Sequence, residues 1–277
     1  MTIIEGTYNG YVDGARYRKI LFSASLNPGM SGGPALNAAG ELVGINVAHG
    51  GEQISFLVPM GFLRELLGRA ADPEWRTKPL EERIGSALLA DQDAWFAAIM
   101  DSPWASQEFQ SFRVPGRISP TVRCWGGSES EPDALYEHVY QECGSDDTLY
   151  IEPMLETGGF RYAFHAFAGK SLGTVRFYSL LAAHYGHASW FGQGDETQMG
   201  NFTCREDFLQ GRGLDWRISF CARPYRRFDG LFDVSVAMAS TGFAQRGMVV
   251  NLAINGVSAP RARLFLRRFV ESVQWQP

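Results

Sequence analysis

A glycine- and proline-rich stretch limits the conformations open to the first part of this chain. Residues 27–34 read Asn-Pro-Gly-Met-Ser-Gly-Gly-Pro, a composition that predicts a tight loop. Gly29 has no Cβ, so the backbone can turn sharply there and aim its amide groups inward. Gly32 and Gly33 let the chain leave the loop close to any bound backbone. The stretch therefore predicts either a simple surface turn or a loop built for close backbone contact.

The segments on both sides of this loop predict regular structure. Short apolar runs bounded by turn residues are typical of strands, and three leucines on one side of the last segment indicate an amphipathic helix. The predicted order is a strand, the loop, a short strand with a turn, two strands and a helix, at residues 18–25, 27–34, 35–40, 41–48, 54–59 and 60–69.

This order of loop, hairpin, strand and helix resembles the end of a trypsin-like serine protease domain. It is most similar to the bacterial HtrA-type branch, whose pattern runs Asn-Pro-Gly-Asn-Ser-Gly-Gly-Pro, then Gly-Glu-Val-Ile-Gly-Ile-Asn. The resemblance covers about residues 1–70. It implies a partial antiparallel β-barrel of trypsin-like type, with Ser31 as the nucleophile. It also implies an oxyanion hole formed by the backbone N–H groups of Gly29 and Ser31. Met30 replaces the aspartate of digestive trypsins, so their activation route is expected to be absent.

A serine nucleophile needs a base, because its hydroxyl is a poor nucleophile at neutral pH. In this family the base is a histidine oriented by an aspartate, and both precede the serine in a first barrel. Only 30 residues precede Ser31, and they include Asp13 but no histidine. We therefore expect the first barrel to come from upstream polypeptide or from a partner chain. The 277 residues alone are expected to be nearly inactive.

The same resemblance assigns positions that contact a protein or peptide substrate. Ser25 falls at the base of the primary specificity pocket, Ala48 and Ser55 fall near its walls, and Asn46 is a further substrate-binding candidate. None of these residues is acidic, so a medium-sized apolar side chain is expected rather than Lys or Arg. His49 follows the predicted strand 41–48 and is expected to be a solvated or substrate-contacting residue, not the base.

The composition of the whole chain excludes several classes. The net charge is −5 with scattered basic residues, which argues against nucleic acid as a partner. No run of about 18 apolar residues occurs, so no membrane span is predicted. The residues after Met1 lack the pattern of a signal peptide. No cofactor is predicted. No resident metal is predicted either, because Cys-x-x-Cys spacing is absent and the His-x-x-His pair at residues 184 and 187 is a weak motif.

Residues 71–80 carry two prolines and predict a linker, and residues 81–277 predict an α+β domain that resembles no family. Period-two alternation indicates antiparallel strands with one buried face. Ser258 is a candidate N-cap for the last helix. The predicted strands are residues 159–168, 215–223, 232–238 and 248–254, and the predicted helices are residues 81–100, 172–184 and 260–273.

All four cysteines, Cys124, Cys143, Cys204 and Cys221, lie in this second domain. Four cysteines allow three pairings, and the sequence-local pairs 124 with 143 and 204 with 221 are favoured because each closes a modest loop. Disulfides indicate an oxidising compartment, so a periplasmic or secreted protein is expected. The alternative is four buried thiols in a cytosolic protein.

Two functions from different classes remain open on the sequence alone. The first is the C-terminal part of a serine endopeptidase followed by an accessory domain. The second is a non-catalytic periplasmic interaction or binding protein that retains a protease remnant. Retention of Gly29, Ser31, Gly32 and Gly33 favours the peptidase. A third interpretation is a binding module formed by the second domain alone.

Overall fold

The computed structural model describes residues 3–51, 53–129, 133–145, 147–186, 194–210 and 213–276. The chain divides into two compact units, Met1–Leu80 and Glu81–Pro277. Antiparallel sheets dominate the described parts of both units, and the second unit adds helices that pack on its main sheet. The predicted mixture of antiparallel β-structure and α+β structure is confirmed at this level. None of the described helices is long and apolar enough to span a bilayer.

The first unit is a small open sheet followed by helices. Its elements are β1 Thr7–Tyr11, β2 Ile20–Ser23, β3 Pro34–Leu36, β4 Leu42–Gly51, β5 Ile54–Pro59, α1 Met60–Ala70 and α2 Pro73–Thr77. Among the described residues the strand order is β1-β2-β5-β4-β3, with antiparallel pairing throughout. The sheet has five strands rather than the four predicted, because residues 7–11 form a strand that apolar patterning did not indicate. Strands β1 and β3 each pair on one side, so the sheet does not close.

Little of the first unit is buried. Its fully buried apolar residues are Ile20, Ala24 and Leu57. Tyr8 on β1 is 61% exposed and Leu36 on β3 is 60% exposed, although large apolar side chains on a sheet usually face a core. Helix α1 begins as predicted, but none of its residues is buried. Several large apolar side chains of this unit therefore remain exposed to solvent, because the described residues of the unit do not cover them.

The second unit contains a long antiparallel sheet with helices before, within and after it. Its helices are α3 Leu80–Asp101, α4 Thr174–His184 and α5 Ala259–Glu271. Its strands are β6 Ser106–Phe109, β7 Phe112–Pro115, β8 Arg123–Glu129, β9 Tyr136–Gly144, β10 Leu149–Glu152, β11 Leu155–Thr157, β12 Phe160–Gly169, β13 Thr203–Gln210, β14 Asp215–Pro224, β15 Leu231–Thr241, β16 Arg246–Ser258 and β17 Gln274–Trp275.

The main sheet of the described second unit has the order β13-β14-β15-β16-β12-β9-β8. Successive side chains of a strand point to opposite faces, and β12 illustrates this. Phe164 belongs to a core shared with α3 and α5, which includes Phe96 and Phe265, whereas Phe167 belongs to a separate cluster under α4. The sheet is therefore covered on both faces, by α3 and α5 on one and by α4 on the other.

Aromatic side chains dominate the core under α3 and α5. The Phe265 ring contacts the rings of Phe96 and Phe160 in edge-to-face geometry, with centroids 5.2 and 5.3 Å apart. Phe269, one turn further along α5, stacks on Phe164 with centroids 5.8 Å apart. Such aromatic pairs add to the burial of apolar area. Phe265 and Phe269 are four residues apart in α5, so their side chains lie on one face of the helix.

Ser258 occupies the predicted N-cap position of α5, and Pro260 lies within the first turn. The serine side chain, however, makes no capping hydrogen bond. Its hydroxyl donates to Asp93 Oδ1 at 3.0 Å instead. The expectation of a capping side chain is wrong, because the serine side chain is directed towards a carboxylate on α3 and not towards the first amides of α5.

Both predicted disulfides form. Cys124 of β8 is bonded to Cys143 of β9, and Cys204 of β13 is bonded to Cys221 of β14. Within each pair the two cysteines are directly opposite in the strand register. Strands β8 and β13 are the two edges of the described sheet, so each disulfide ties an edge strand to its inner neighbour.

Removing either disulfide should destabilise the second unit. The bonds close loops with sequence separations of 19 and 17 residues, for which chain entropy gives about 3 kcal/mol each. We expect the double variants Cys124→Ser with Cys143→Ser, and Cys204→Ser with Cys221→Ser, to lower the free energy of unfolding by that amount in urea titrations. A loss below about 0.5 kcal/mol in both variants would contradict this view.

Candidate active site

The glycine-rich loop lies between β2 and β3, and its backbone conformation requires glycine at two positions. Gly29 and Gly32 have φ angles of +89° and +81°, values that a Cβ makes unfavourable. Gly33 has an ordinary φ but little space, since a Cβ there would lie 3.0 Å from the Met30 carbonyl oxygen. Each of the three glycines therefore has a physical reason in the geometry of the loop.

Asn46 on β4 holds this loop in place. Its carbonyl oxygen accepts from the Gly32 amide at 2.8 Å, and its amide donates to the Gly33 carbonyl oxygen at 2.9 Å. Its side-chain Nδ2 lies 3.4 Å from the Met30 carbonyl oxygen. Asn46 is buried. The residue predicted to bind substrate thus has its side chain turned towards the loop, where it supports the backbone.

Met30 closes the loop from within. Its amide donates to the Asn27 carbonyl oxygen at 3.1 Å, and its carbonyl oxygen accepts from the Gly33 amide at 3.1 Å. Its thioether sulfur accepts from the Asn27 amide at 3.4 Å, a weak bond of the kind that methionine sulfur forms. The departure from the HtrA-type pattern at this position therefore places a sulfur acceptor inside the loop.

The two amides that the resemblance assigns to an oxyanion hole differ from the other loop amides in their hydrogen bonding. The amides of Met30, Gly32 and Gly33 all donate to carbonyl oxygens within the first unit. No described residue accepts a hydrogen bond from the Gly29 or Ser31 amide. Both residues are exposed. Exposed donors of this kind are available to a carbonyl oxygen of a bound molecule.

The other predicted substrate-binding residues differ in their availability. Ser25 and Ala48 are exposed. Ser55 is fully buried, and its hydroxyl donates to the Ala24 carbonyl oxygen at 2.6 Å. This bond connects β5 to the end of β2, just before the loop. Ser55 therefore holds the segment that carries Ser25, and its own hydroxyl is already committed.

A cleft of about 1370 Å³ lies along the loop and the open side of the first unit. Gly29 and Met30 contribute to its lining from the loop, and β1 to β5 contribute apolar side chains. The apolar lining residues include Ile3, Ile4, Tyr8, Tyr11, Ile20, Phe22, Leu36, Val43 and Leu57. Both edge strands line this cleft, so the unpaired edges and the uncovered apolar surface occur together.

Histidine side chains of the described chain lie in the second unit. His138 is on β9, His165 on β12 and His184 at the end of α4. The backbone of His49 pairs with Ser55 across β4 and β5, but its side chain lies outside the described structure, as does residue 187. No described histidine side chain belongs to the unit that carries Ser31.

Sequence reasoning missed the grouping of these three histidines. The imidazole Nε2 of His138 lies 3.1 Å from Nδ1 of His165, and the ring centroids of His138 and His184 are 5.6 Å apart. Burial, together with the neighbouring His138 and His184, lowers the pKa of His165 to about 4. Period-two patterning of β9 and β12 could have placed His138 and His165 on one face, had β9 been predicted. Across the described residues no three His, Cys, Asp or Glu side chains form a group that could hold a metal ion.

Comparison of the sequence with protein families and with curated proteins finds no match.

The backbone argument for the loop can be tested on the first unit itself. Gly29→Ala and Gly32→Ala force an L-residue into the left-handed region and should each lower stability by about 1–2 kcal/mol. Gly61→Ala is a matched control, because Gly61 lies in α1 with open space around its Cα. That change should be neutral or stabilising by up to about 1 kcal/mol. Thermal unfolding of the three variants measures both effects, and equal destabilisation of all three would contradict the loop geometry.

Proposed function

We propose that this chain is the C-terminal part of a serine endopeptidase, with Ser31 as the nucleophile. The observation that carries the proposal is the pattern of loop amides. The amides of Asn27, Met30, Gly32 and Gly33 all donate to acceptors within the first unit, whereas those of Gly29 and Ser31 have no acceptor among the described residues. A donor pair beside an exposed serine hydroxyl is what a developing oxyanion requires. The resemblance of residues 27–34 to the HtrA-type loop supports the same assignment.

In the proposed mechanism the Ser31 Oγ attacks the scissile carbonyl carbon as its proton passes to an imidazole. The carbonyl oxygen becomes an oxyanion that accepts from the Gly29 and Ser31 amides. The tetrahedral species then expels the amine, which takes the proton from the imidazolium and leaves an acyl-enzyme. Water then attacks the acyl carbon as its proton passes to the imidazole, and the ester bond to Ser31 breaks as Oγ takes that proton back, which releases the acid. The imidazole and its aspartate partner are assigned to polypeptide outside residues 1–277, as the sequence resemblance implies.

The open sheet of the first unit supports this division of the active site. A further strand could pair with the free edges of β1 and β3, and its apolar side chains could fill the cleft beside the loop. Unpaired edges and uncovered apolar residues are unfavourable in isolation. We therefore infer that a partner polypeptide completes the trypsin-like barrel and brings the base to Ser31. A protein or peptide is the proposed substrate. Ser25, a small and uncharged residue, lies at the bottom of the proposed primary specificity pocket.

The accessory second unit and the disulfides bear on where the protein acts. Two disulfides in one unit favour an oxidising compartment. We infer a periplasmic or secreted location. The competing function, a non-catalytic binding protein, would use the second unit and would not need the free loop amides. Those amides and the glycines that position them favour the peptidase.

The test is reconstitution. The reading frame upstream of Met1 would be expressed together with this chain, and hydrolysis of a fluorogenic peptide library would be compared with that by the chain alone. We expect the chain alone to be nearly inactive and the completed protein to cleave after medium-sized apolar residues. Folded, completed protein without activity would refute the peptidase and favour the binding protein. Strong cleavage after Arg would refute the pocket assignment alone.

A further inference from the structure

Three histidines from three elements meet on the face of the main sheet that α4 covers. His138 is paired with Phe167 across β9 and β12, and His165 is paired with Tyr140. The two histidines are therefore diagonal neighbours on one face. His184 is the last residue of α4. Its ring lies over this part of the sheet, with centroids 4.7 Å from Phe167 and 6.3 Å from His165.

The polar contacts of the group link all three rings to acceptors. His138 Nε2 and His165 Nδ1 share one proton between them at 3.1 Å, and His138 Nδ1 lies 3.2 Å from Glu129 Oε2 on β8. His184 Nδ1 lies 3.0 Å from the Leu180 carbonyl oxygen within α4. A second proton on the His138 and His165 pair would break the shared hydrogen bond and place two cations side by side.

Other ionisable groups near this cluster are few among the described residues. Tyr140 stacks on His165 with centroids 6.3 Å apart. Tyr185 follows α4 and lies beneath the Arg217 guanidinium, which is 4.9 Å from its ring centroid. Arg217 on β14 is paired with Glu206 on β13 at 2.7 Å. Among the described residues Glu129 contacts the cluster through His138 alone, and its side chain is 72% exposed, so solvent screens most of its effect on the other two rings.

The attachment of α4 to the sheet depends on a small number of contacts. Its fully buried side chains are Phe177 and Leu181, which pack on Phe167 and Val249. The Tyr178 hydroxyl accepts from the Gly242 amide at 3.0 Å. Tyr178 and Leu180 of the same helix are partly buried against this apolar cluster. Ordering eleven helical residues costs conformational entropy, and these few apolar contacts offset only part of it. A helix held this way is a local opening unit.

We propose that the His138–His165–His184 cluster makes the docking of α4 depend on pH, so that the helix lies on the sheet at neutral pH and opens on acidification. This inference concerns the second unit and is independent of the proposed peptidase. When α4 opens, His184 leaves the cluster and water reaches His165, which can then take a proton.

The direction follows from linkage. With α4 docked the His165 pKa is about 4, whereas an ordinary histidine titrates near 6.5. The open form therefore binds more protons between these values, and acid favours it. Docking is at full strength above about pH 6.5 and weakens as the pH falls towards 4. The full difference corresponds to roughly a hundredfold change in the opening equilibrium at pH 4.5, and partial exposure of His165 reduces this to about tenfold.

Hydrogen exchange tests the proposal on the whole chain. Protection factors, corrected for the intrinsic exchange rate at each pH, would be compared at pH 7.5 and 4.5 for the peptides that cover α4 and α5. We expect about a tenfold loss of protection in α4 at pH 4.5 and little change in α5, which lies on the opposite face. Equal losses in both helices would indicate global unfolding and overturn the proposal.

The same hydrogen-exchange measurement on variants of the histidine cluster provides a second test of the proposal. His165→Asn removes the ring whose pKa is lowered, and His184→Gln removes one of its imidazole neighbours; both keep a polar side chain. His165→Asn should reduce the loss of α4 protection to less than about threefold, and His184→Gln should reduce it by a smaller amount, because burial is the main cause of the His165 shift. His49→Ala, on β4 of the first unit, serves as the control and should keep the full response. A response that survives unchanged in both cluster variants would overturn the proposal, as would unchanged wild-type protection at pH 4.5.

Discussion

Ser31→Ala in the reconstituted protein is expected to lower kcat by about a million-fold, which is the cost of removing the nucleophile of a serine peptidase. The proposed oxyanion donors would remain, because the Ser31 amide belongs to the backbone and the Gly29 amide is untouched. A residual rate above the uncatalysed reaction is therefore expected, from binding and oxyanion stabilisation alone. Initial rates on a fluorogenic peptide, with active enzyme counted by burst titration of the wild type, measure the difference.

Ser23→Ala is the matched control for this variant. Ser23 ends β2, is exposed and lies in the same unit as Ser31, so the change removes a hydroxyl without touching the loop. We expect wild-type rates from it. If Ser31→Ala retained more than about one-hundredth of the wild-type activity, another residue would be the nucleophile and the proposed mechanism would be wrong.

Asp233→Ala is expected to have the largest effect on stability, lowering the free energy of unfolding by about 3–5 kcal/mol. Asp233 on β15 is 1% exposed. Its Oδ2 accepts from the Arg223 guanidinium at 2.8 Å, and its Oδ1 accepts from the Tyr225 hydroxyl at 2.9 Å and the Gly256 amide at 3.1 Å. Alanine would remove the carboxylate from the largely buried Arg223 guanidinium and the acceptor of the Gly256 amide, and would leave the Tyr225 hydroxyl with Thr157 as its acceptor. Loss of a buried charge partner and of an amide acceptor is costly.

The Arg217 and Glu206 pair provides the comparison. Its atoms are also close, at 2.7 Å, but its side chains are 46% and 54% exposed. Glu206→Ala should therefore cost less than about 1 kcal/mol. Urea titrations of the two variants, followed by circular dichroism, measure whether loss of the Asp233 carboxylate costs more stability than loss of the exposed Glu206 carboxylate. Similar small losses in both would mean that Asp233 is not the acceptor of a buried network.

The success of sequence prediction in the second unit followed the burial pattern. Alternation predicted β14, β15 and β16 because each has a face in the core, as Trp216 and Val236 do. The expectation of a single buried face is wrong for β15 and β16, whose residues are buried on both faces because helices cover both sides of the sheet. Edge strand β13 was missed because nearly all of its residues are exposed, so no alternation marks it. Strand β8 is likewise exposed along its length. Alternation of apolar and polar residues arises where one face of a strand is buried. An edge strand outside the core lacks that alternation and is therefore hard to predict from the sequence.

In the first unit, local composition predicted the loop but not its support. Glycines at positive φ are required by the backbone alone, so Gly29 and Gly32 could be assigned from sequence. The clamp by Asn46 and the sulfur contact of Met30 depend on how β4 passes the loop, which is a tertiary property. The histidine cluster is similar, since His138, His165 and His184 are far apart in sequence and meet only after the sheet and α4 have packed.

The position of the two disulfides has a consequence for handling this protein. Each covalent tie holds an outermost strand with few or no core contacts of its own, since β8 is exposed and β13 packs only Leu209 against the core. If the tie is reduced, the strand can peel away and present its inner neighbour, β9 or β14, as a fresh template for a strand from another molecule. Material produced in a reducing host, or stored with a thiol reductant, should therefore self-associate into insoluble species, whereas material matured under oxidising conditions should remain dispersed.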